Sequence, residues 1–359
     1  MKSLNRIKKA FISKKVKNDY LIKRLSSYNI PIEYVNEPDF NIPLTKGKQI
    51  IYVTENIGKF LKKCPGTPKY ICCEYYVLHL AEHCPMDCSY CILQIYFQNP
   101  YLTVFANYDK MLKELEEADR EGDIIRVGTG EFTDSLALAE ICGWNDLLIP
   151  FFANCKNMFL EIKSKLADLS FLRFKNHNRR IIASWSLNTK KIQKTEELFT
   201  DTIEARINAA KIAMENGFVN SFHFDPIIYY EGCEKDYEEI VNLIFDNIDD
   251  KNICWISLGS LRFIPQLKEI ASERFKNSKI FFEEFHTAID GKKRYFISKR
   301  IKLYKTIYNA IRKRSKIVPV YFCMENSKVW KEVMGFSPEK NDNLKKYLDN
   351  AIIEVSKRF

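Results

Sequence analysis

The stretch HCPMDCSYCILQ, residues 83–94, sets Cys84, Cys88 and Cys91 in one short loop, separated only by Pro85, Met86, Asp87, Ser89 and Tyr90. Thiolates are soft ligands, and sites of this kind take zinc or an iron–sulfur cluster. A structural zinc is closed by four ligands, usually in two pairs. The C-x3-C-x2-C triplet lacks a second pair in register, although Cys64, Cys72, Cys73, His79 or His83 could supply a fourth ligand. Three cysteines acting only as small buried hydrophobes fit poorly beside Pro85, Asp87 and Ser89. A [4Fe–4S] cluster held by three cysteines keeps one iron open for a substrate or cofactor, and that suits the triplet best.

The surroundings of the loop set the expected fold. From about residue 75, "YYVLHL", "DIIRVG", "MFLEIKS", "RIIASWSL", "NSFHFDPI" and "ICWISLG" read as strands, with helical stretches between most of them. Such alternation predicts an α/β protein with a parallel sheet closed or half-closed into a barrel. In a parallel barrel the chemistry gathers at the C-terminal ends of the strands. The cysteine loop follows the first strand, Thr129, Gly130 and Glu131 follow the second, and Lys163 ends the third. Period two places Ser184, Ser186 and Asn188 on one face of the fourth strand, and Ser221, His223 and Asp225 on one face of the fifth. Polar groups on one face of strands flanked by helices predict a wet cavity. The clearest helix is 202–216, with Asp201 or Thr202 as N-cap, Ile203, Ile207, Ala210 and Met214 on one face, and Gly217 as its stop. Arg206 on this helix is expected to be exposed. Residues 1–74, with "IIYVTEN" as a strand and "CPGTPKY" as a loop, read as an N-terminal α/β layer. Residues 75–290 read as the barrel, and 291–359 as a basic, mostly helical extension with a further strand at "VPVYFCM".

The 359 residues are 46% hydrophobic and 13% aromatic, enough for a large core and against disorder. Fifty-six Lys and Arg against 46 Asp and Glu give a formal charge of +10, which favours polyanionic partners. The apolar regions are broken by Glu140, Asn145, Asp146 and Asn154, so no membrane span is expected. The basic start "MKSLNRIKKAFISKKVKN" lacks the apolar core and cleavage site of a signal peptide. A cytoplasmic location follows as an expectation. Eleven cysteines, an odd number, read as thiols and metal ligands rather than a disulfide framework.

C-x3-C-x2-C with an aromatic residue before the last cysteine, placed after the first strand of a βα barrel, resembles the radical S-adenosylmethionine (SAM) enzymes. The resemblance implies a partial (β/α)6 TIM-type barrel, SAM bound at the open iron, and a 5′-deoxyadenosyl radical that abstracts a hydrogen atom. Over about residues 75–300 the chain is similar to the spore photoproduct lyase family, which reverts a thymine lesion in DNA. "CPMDCSYCILQ", "NPYLTVFANYDKML", "IEARINAAKIAMENGF", "FDPIIYYEG", "LRFIP" and "DGKKRYFISKR" carry the likeness. It implies that Cys84, Cys88 and Cys91 bind the cluster, that Lys163, Ser186 and Thr133 contact SAM, and that DNA and an external electron donor such as flavodoxin or ferredoxin are partners. The sequence names no oligomeric state.

The chain also departs from the family pattern. Lyases carry, after the second strand, a cysteine that returns a hydrogen atom to the repaired thymine. Here "VGTGEFTDS" has none, and Glu131 or Phe132 occupies the position. Of two tyrosines flanking the last cluster cysteine, Tyr90 is kept and Ile92 replaces the other. Either another thiol, Cys233 or Cys142, reaches the cavity, or the chain runs a different radical reaction on RNA, a peptide or a small molecule. "GTGE" resembles the Gly-Gly-Glu element that binds the SAM ammonium, which makes Glu131 a cofactor candidate. Tyr90 and Cys233 are the candidate catalytic residues. A zinc-stabilised nucleic-acid-binding protein is the non-enzymatic alternative. Residues 291–305 interleave Lys and Arg with Tyr295, Phe296 and Tyr304, a pattern suited to phosphate contact and base stacking.

Overall fold

The computed structural model describes residues 4–358 except Pro68, so the first three residues of the basic start lie outside the described residues. Six parallel strands, Tyr76–Leu78, Ile125–Gly128, Met158–Ser164, Ile181–Ser186, Val219–Ile227 and Ile253–Ser260, follow one another in chain order across a curled half-barrel sheet. They are the six segments expected from the sequence. Two further strands extend it to eight. Val320–Phe322 pairs in parallel with the sixth strand, and Leu61–Lys63 pairs antiparallel with the first. The strand at "VPVYFCM" therefore belongs to the barrel sheet, and the C-terminal segment is built into the barrel as well as extending it.

A second sheet holds Ile32–Val35, Lys9–Ser13, Ile50–Thr54 and Leu102–Phe105 in parallel, with Ala81–Glu82 antiparallel at its edge. The two sheets are interleaved across residue 74. Leu61–Lys63 crosses from the N-terminal layer into the barrel, while Ala81–Glu82 and Leu102–Phe105 cross the other way. One continuous apolar core runs through both.

Strands covered on both faces read as near-continuous apolar runs. Ile253–Ser260 is buried at every position, as is Ile181–Ser186. Helix Ile203–Glu215 starts where Thr202 Oγ1 accepts from the Ala205 amide at 3.2 Å, and the left-handed Gly217, φ +84°, follows its end. Ile203, Ile207 and Ala210 are buried, each large aliphatic side chain contributing about 1.5–3 kcal/mol. Met214 is only partly buried. Arg206 corrects the sequence reading, because it is fully buried. Its guanidinium donates to Asp201 O at 3.0 Å, Ser186 O at 2.8 Å, Glu197 Oε2 at 2.7 Å and Thr200 Oγ1 at 2.8 Å. Four acceptors offset its desolvation, and they tie the helix to the end of the fourth strand. Helix Asn341–Lys357 packs Leu344, Leu348 and Ile352 inward and is pinned by the Arg126–Asp349 pair at 2.8 Å. Among the described residues no helix is long and apolar enough to cross a membrane.

Candidate active site

The cysteine loop has little regular structure of its own, and charged neighbours hold it from three sides. Lys48, from the N-terminal layer, donates to Asp87 Oδ1 at 2.9 Å and to Met86 O. Arg274, at the end of helix Pro265–Arg274, grips both Asp87 oxygens at 2.7 and 2.9 Å. Burial alone would raise the Asp87 pKa, but these two cations hold it below the usual aspartate value. On the third side, Asp87–Cys88 pairs antiparallel with Glu197–Leu198, and the Ser89 amide donates to Glu196 O at 2.9 Å. Gln94 closes the loop from below, its amide reaching the carbonyls of Cys88, Ser89 and Cys91 at 3.3, 3.0 and 3.2 Å.

Cys84, Cys88 and Cys91 open onto a cavity of about 400 Å³ at the C-terminal ends of the barrel strands. Burial pushes the Cys84 thiol up to about 12, with Asp134 and Cys91 adding to it. Cys88 and Cys91 are raised by burial too, and Cys84 and Cys91 raise Cys88 further. Each thiol thus favours its neutral form in this wall, and a positively charged centre would stabilise the three as thiolates. Among the described residues no group of three or more His, Cys, Asp or Glu converges on a single ion. Of the five residues considered as a fourth zinc ligand, Cys64 alone lines this cavity among the described residues. The His83 ring meets Asn99 O at 2.6 Å, the His79 ring meets Lys62 at 3.1 Å, and Cys72 and Cys73 line a different cavity.

The loop after the second strand lines the same cavity as the cysteines. Thr129 Oγ1 donates to Ser135 Oγ at 2.7 Å, and Ser135 Oγ accepts from the Lys163 amide at 3.0 Å. Gly130 is required by this closeness, since a Cβ there would lie 2.9 Å from Lys163 O. The loop carries Glu131 to Lys163, and the two form an ion pair in the cavity wall. Burial alone would lower the Lys163 pKa, but Glu131 and Glu161 raise it above the usual lysine value. Thr133 Oγ1 is buried in the same wall and makes no hydrogen bond to the protein. Ser186 and His223 line the cavity as the period-two reading expected. The His223 Nε2 meets Glu161 at 2.7 Å, and Glu161 also accepts from Tyr75, Ser184 and Ser221 at 2.6, 2.7 and 2.9 Å. Burial opposes ionisation of Glu161, but His223 and these donors hold its carboxyl far below the usual range.

Thus Cys84, Cys88, Cys91, Tyr90, Glu131, Thr133, Lys163 and Ser186 meet in one cavity, and Cys233 does not. Cys233 begins helix Cys233–Asn247 with its side chain turned into the core, fully buried, and its thiol donates to Glu234 at 3.7 Å. Cys142 is likewise fully buried and outside the cavity. The basic 291–305 stretch is corrected in part. Tyr295, Tyr304, Arg294 and Arg300 are core residues, leaving Phe296, 47% exposed, as the accessible ring of the three. Sequence reading missed Lys165, which with Glu197 brackets the Tyr90 hydroxyl, and the Asp225–Arg262 pair, closed at 3.1 Å through both oxygens. The pair's signal was only the positions of "LRFIP" and "FDPI" next to strand ends. It also left Cys64 undecided, and Cys64 lines the cavity.

A family profile described as spore photoproduct lyase matches residues 56–321. The chain belongs to the spore photoproduct lyase family. It is 27% identical over 208 residues to the spore photoproduct lyase of Clostridium acetobutylicum, covering 57% of this chain and 62% of that one. To the lyase of a Geobacillus species it is 22% identical over 214 residues, covering 58% and 63%. The aligned part thus spans under two thirds of either relative. In three dimensions a cysteine-to-alanine variant of spore photoproduct lyase superposes with a TM-score of 0.78 at 19% identity, over 88% of this chain and 98% of the other. A double variant of that enzyme, with AdoMet and a dinucleoside spore photoproduct bound, matches with the same TM-score, identity and coverage.

Proposed function

We propose that the chain is a radical SAM lyase that reverts the spore photoproduct, a UV-induced thymine lesion in DNA, to two thymines. The observation that carries this reading is the meeting of the three loop cysteines with Glu131, Thr133, Lys163 and Ser186 around one cavity. Family membership and the AdoMet and lesion named for the matching structure support it. Cys84, Cys88 and Cys91 would hold the [4Fe–4S] cluster, which with SAM supplies a 5′-deoxyadenosyl radical for hydrogen abstraction. The Glu131–Lys163 pair offers one carboxylate and one ammonium, the complement of the ammonium and carboxylate of an amino acid. Thr133 Oγ1 and Ser186 add hydroxyls to the same wall. Tyr90 is a catalytic candidate positioned by Glu197 and Lys165. Arg262, fixed by Asp225, faces the cavity as a cation for a phosphate or a base carbonyl. Phe132, Leu261, Phe263 and Ile264 give it apolar walls that exclude water. The same reading places the chain in the cytoplasm, with DNA as partner and an electron donor such as flavodoxin or ferredoxin.

The test is anaerobic reconstitution followed by reaction with dithionite, SAM and the dinucleoside spore photoproduct. We expect 5′-deoxyadenosine together with recovered thymine dinucleotide. 5′-Deoxyadenosine without thymine recovery from any lesion-containing DNA would point to another substrate, and neither product would sink the lyase reading.

A further inference from the structure

A protein that delivers electrons to the cluster cannot enter by the cavity, which the proposed function gives to SAM and the lesion. It must approach the cysteine loop from behind. Along residues 84–90, Cys84, Met86, Cys88 and Tyr90 line the cavity, while Pro85, Asp87 and Ser89 do not. This period of two gives the loop an outer face made of its odd-numbered residues. Three segments cover that face. From the first, Arg6 donates to Pro85 O. In the second, Glu196 accepts from the Ser89 hydroxyl, and Leu198 stands opposite Asp87 in the short antiparallel pair. The third brings Arg274 to Asp87, and Ser278 donates its hydroxyl to Glu196 at 2.7 Å.

In the second segment this cover meets solvent through apolar side chains. Leu198 is 38% exposed and Phe199 41%. Phe199 sits in the left-handed region at φ +64°, a conformation that side chains other than glycine rarely adopt. Strain of this kind persists where the surrounding structure enforces it, and it gathers at working positions. The Arg6 guanidinium lies over the Phe199 ring, 3.9 Å from its centroid, so ring, guanidinium and Pro85 carbonyl form one contact path from the surface to the residue after Cys84. The charge around the pair is of one sign. Lys8, Lys194, Lys276 and Lys279 are exposed, and among the described residues of 4–8, 192–199 and 274–279 there is no exposed Asp or Glu. The two acids in these segments, Glu196 and Glu197, are buried.

We propose that the surface around Leu198 and Phe199 is the docking site of an acidic one-electron carrier protein, an assignment that rests on the radical SAM reading. The apolar pair gives the contact a dry centre, and the lysines around it complement carboxylates on the carrier. One electron leaves the carrier, which is oxidised, and reduces the cluster through the covering segments. No bond is made or broken. The patch is small, which suits a transient redox encounter in which the carrier departs after each transfer. A second copy of this chain would set lysine against lysine, and DNA would lay phosphates over an apolar centre.

The experiment reduces the reconstituted chain with dithionite, with flavodoxin hydroquinone or with reduced ferredoxin, and follows 5′-deoxyadenosine formed from SAM. It compares the wild type with Phe199→Gly, which suits the left-handed backbone and removes the ring, and with the double variant Lys194→Glu/Lys279→Glu. All three should match under dithionite, a reductant too small to need a docking site. With a carrier the double variant should be about tenfold slower, and the decline of the wild-type rate from low to high salt should flatten in it. Phe199→Gly should be slower as well, with the salt dependence of the wild type. Independently of turnover, carbodiimide should crosslink carrier carboxylates to Lys194, Lys276 or Lys279, as mass mapping of the peptides would show. Wild-type rates with a carrier in both variants, crosslinks confined to other lysines, or a wild-type chain that works with dithionite and with neither carrier overturn the docking site alone. Protection of Lys194 and Lys279 from acetylation by undamaged duplex DNA, and not by a carrier, overturns it in favour of a DNA contact. A lower dithionite rate in both variants overturns it too, since these residues would then serve the loop itself. A wild-type chain that yields no 5′-deoxyadenosine with any reductant overturns the radical SAM reading and the docking site with it.

Discussion

Two cysteine-bearing segments meet in the active-site cavity, and they are held by different means. Residues 84–94 are fixed by side-chain charge, with Asp87 between Lys48 and Arg274, and Gln94 against three loop carbonyls. Residues 64–74 are fixed mainly through their backbone. The Cys64 amide bonds Tyr75 O, Ile71 bridges Glu325, the Cys72 amide donates to Asn341 Oδ1 at 2.8 Å, and Cys73 O accepts from Arg126. A segment that is to carry three ligands, as in the proposed function, needs braces that do not depend on the ligands. One that lends the cavity wall only Cys64, Pro65 and Gly66 needs only to be delivered there.

The comparison breaks most visibly at Asp87. Asp87→Ala leaves Lys48 and Arg274 without their shared anion, both largely buried, at 5% and 13% side-chain exposure. Removing one partner of such a buried group should cost on the order of 4 kcal/mol. Denaturant unfolding of the cluster-free chain measures the loss, and iron content after reconstitution should fall with it. An Asp87→Ala chain of wild-type stability would show that charge does not brace the loop.

Glu197 tests the third side of the same brace. Its carboxylate binds Arg206 at 2.7 Å and Lys165 at 3.0 Å, and it accepts from Tyr90. Burial would raise its pKa, but Lys165 and Arg206 bring it from 4.5 to about 2. A depressed carboxyl contributes stability that is complete above its unfolded value and is lost as pH falls through the folded one. Wild-type stability should therefore decline between pH 4.5 and about 2 partly through this group. Glu197→Gln should cost about 3 kcal/mol at neutral pH and show a shallower decline in that window. Equal slopes in acid titrations of unfolding would remove Glu197 from the account.

How much of this was legible in the sequence follows from the same contrast. The six barrel strands and the clustering of three cysteines in one loop depend on local period and spacing, and both can be read directly. The polar faces of the fourth and fifth strands placed Ser186 and His223 correctly for the same reason. Lys48, Arg274 and Glu197 stand far from the loop in sequence, and nothing local distinguishes them from solvated charges. Arg206 looked exposed because its helix position has no apolar neighbour rule, yet four acceptors draw it inside. Cys233 looked available because it follows a strand end and a glycine. The helix it begins turns the thiol into the core. Cys64 reaches the cavity through an antiparallel edge strand that no βα pattern announces.

The smallest effect is expected at Gly66, where the second segment depends on a single backbone conformation. Gly66 has φ +55°, and a Cβ there would lie 3.2 Å from the Cys72 sulfur. Gly66→Ala should therefore cost about 1 kcal/mol through left-handed strain and a neighbour that must give way. Because the turn separates the two cavities, the substitution should change the rate at which iodoacetamide labels Cys64. The braces on residues 84–94 do not pass through Gly66, so iron content should stay at the wild-type level. Altered labelling with unchanged iron would show that the two segments are positioned independently. An equal loss of iron would show instead that the turn helps shape the cluster loop, and that charge alone does not hold it.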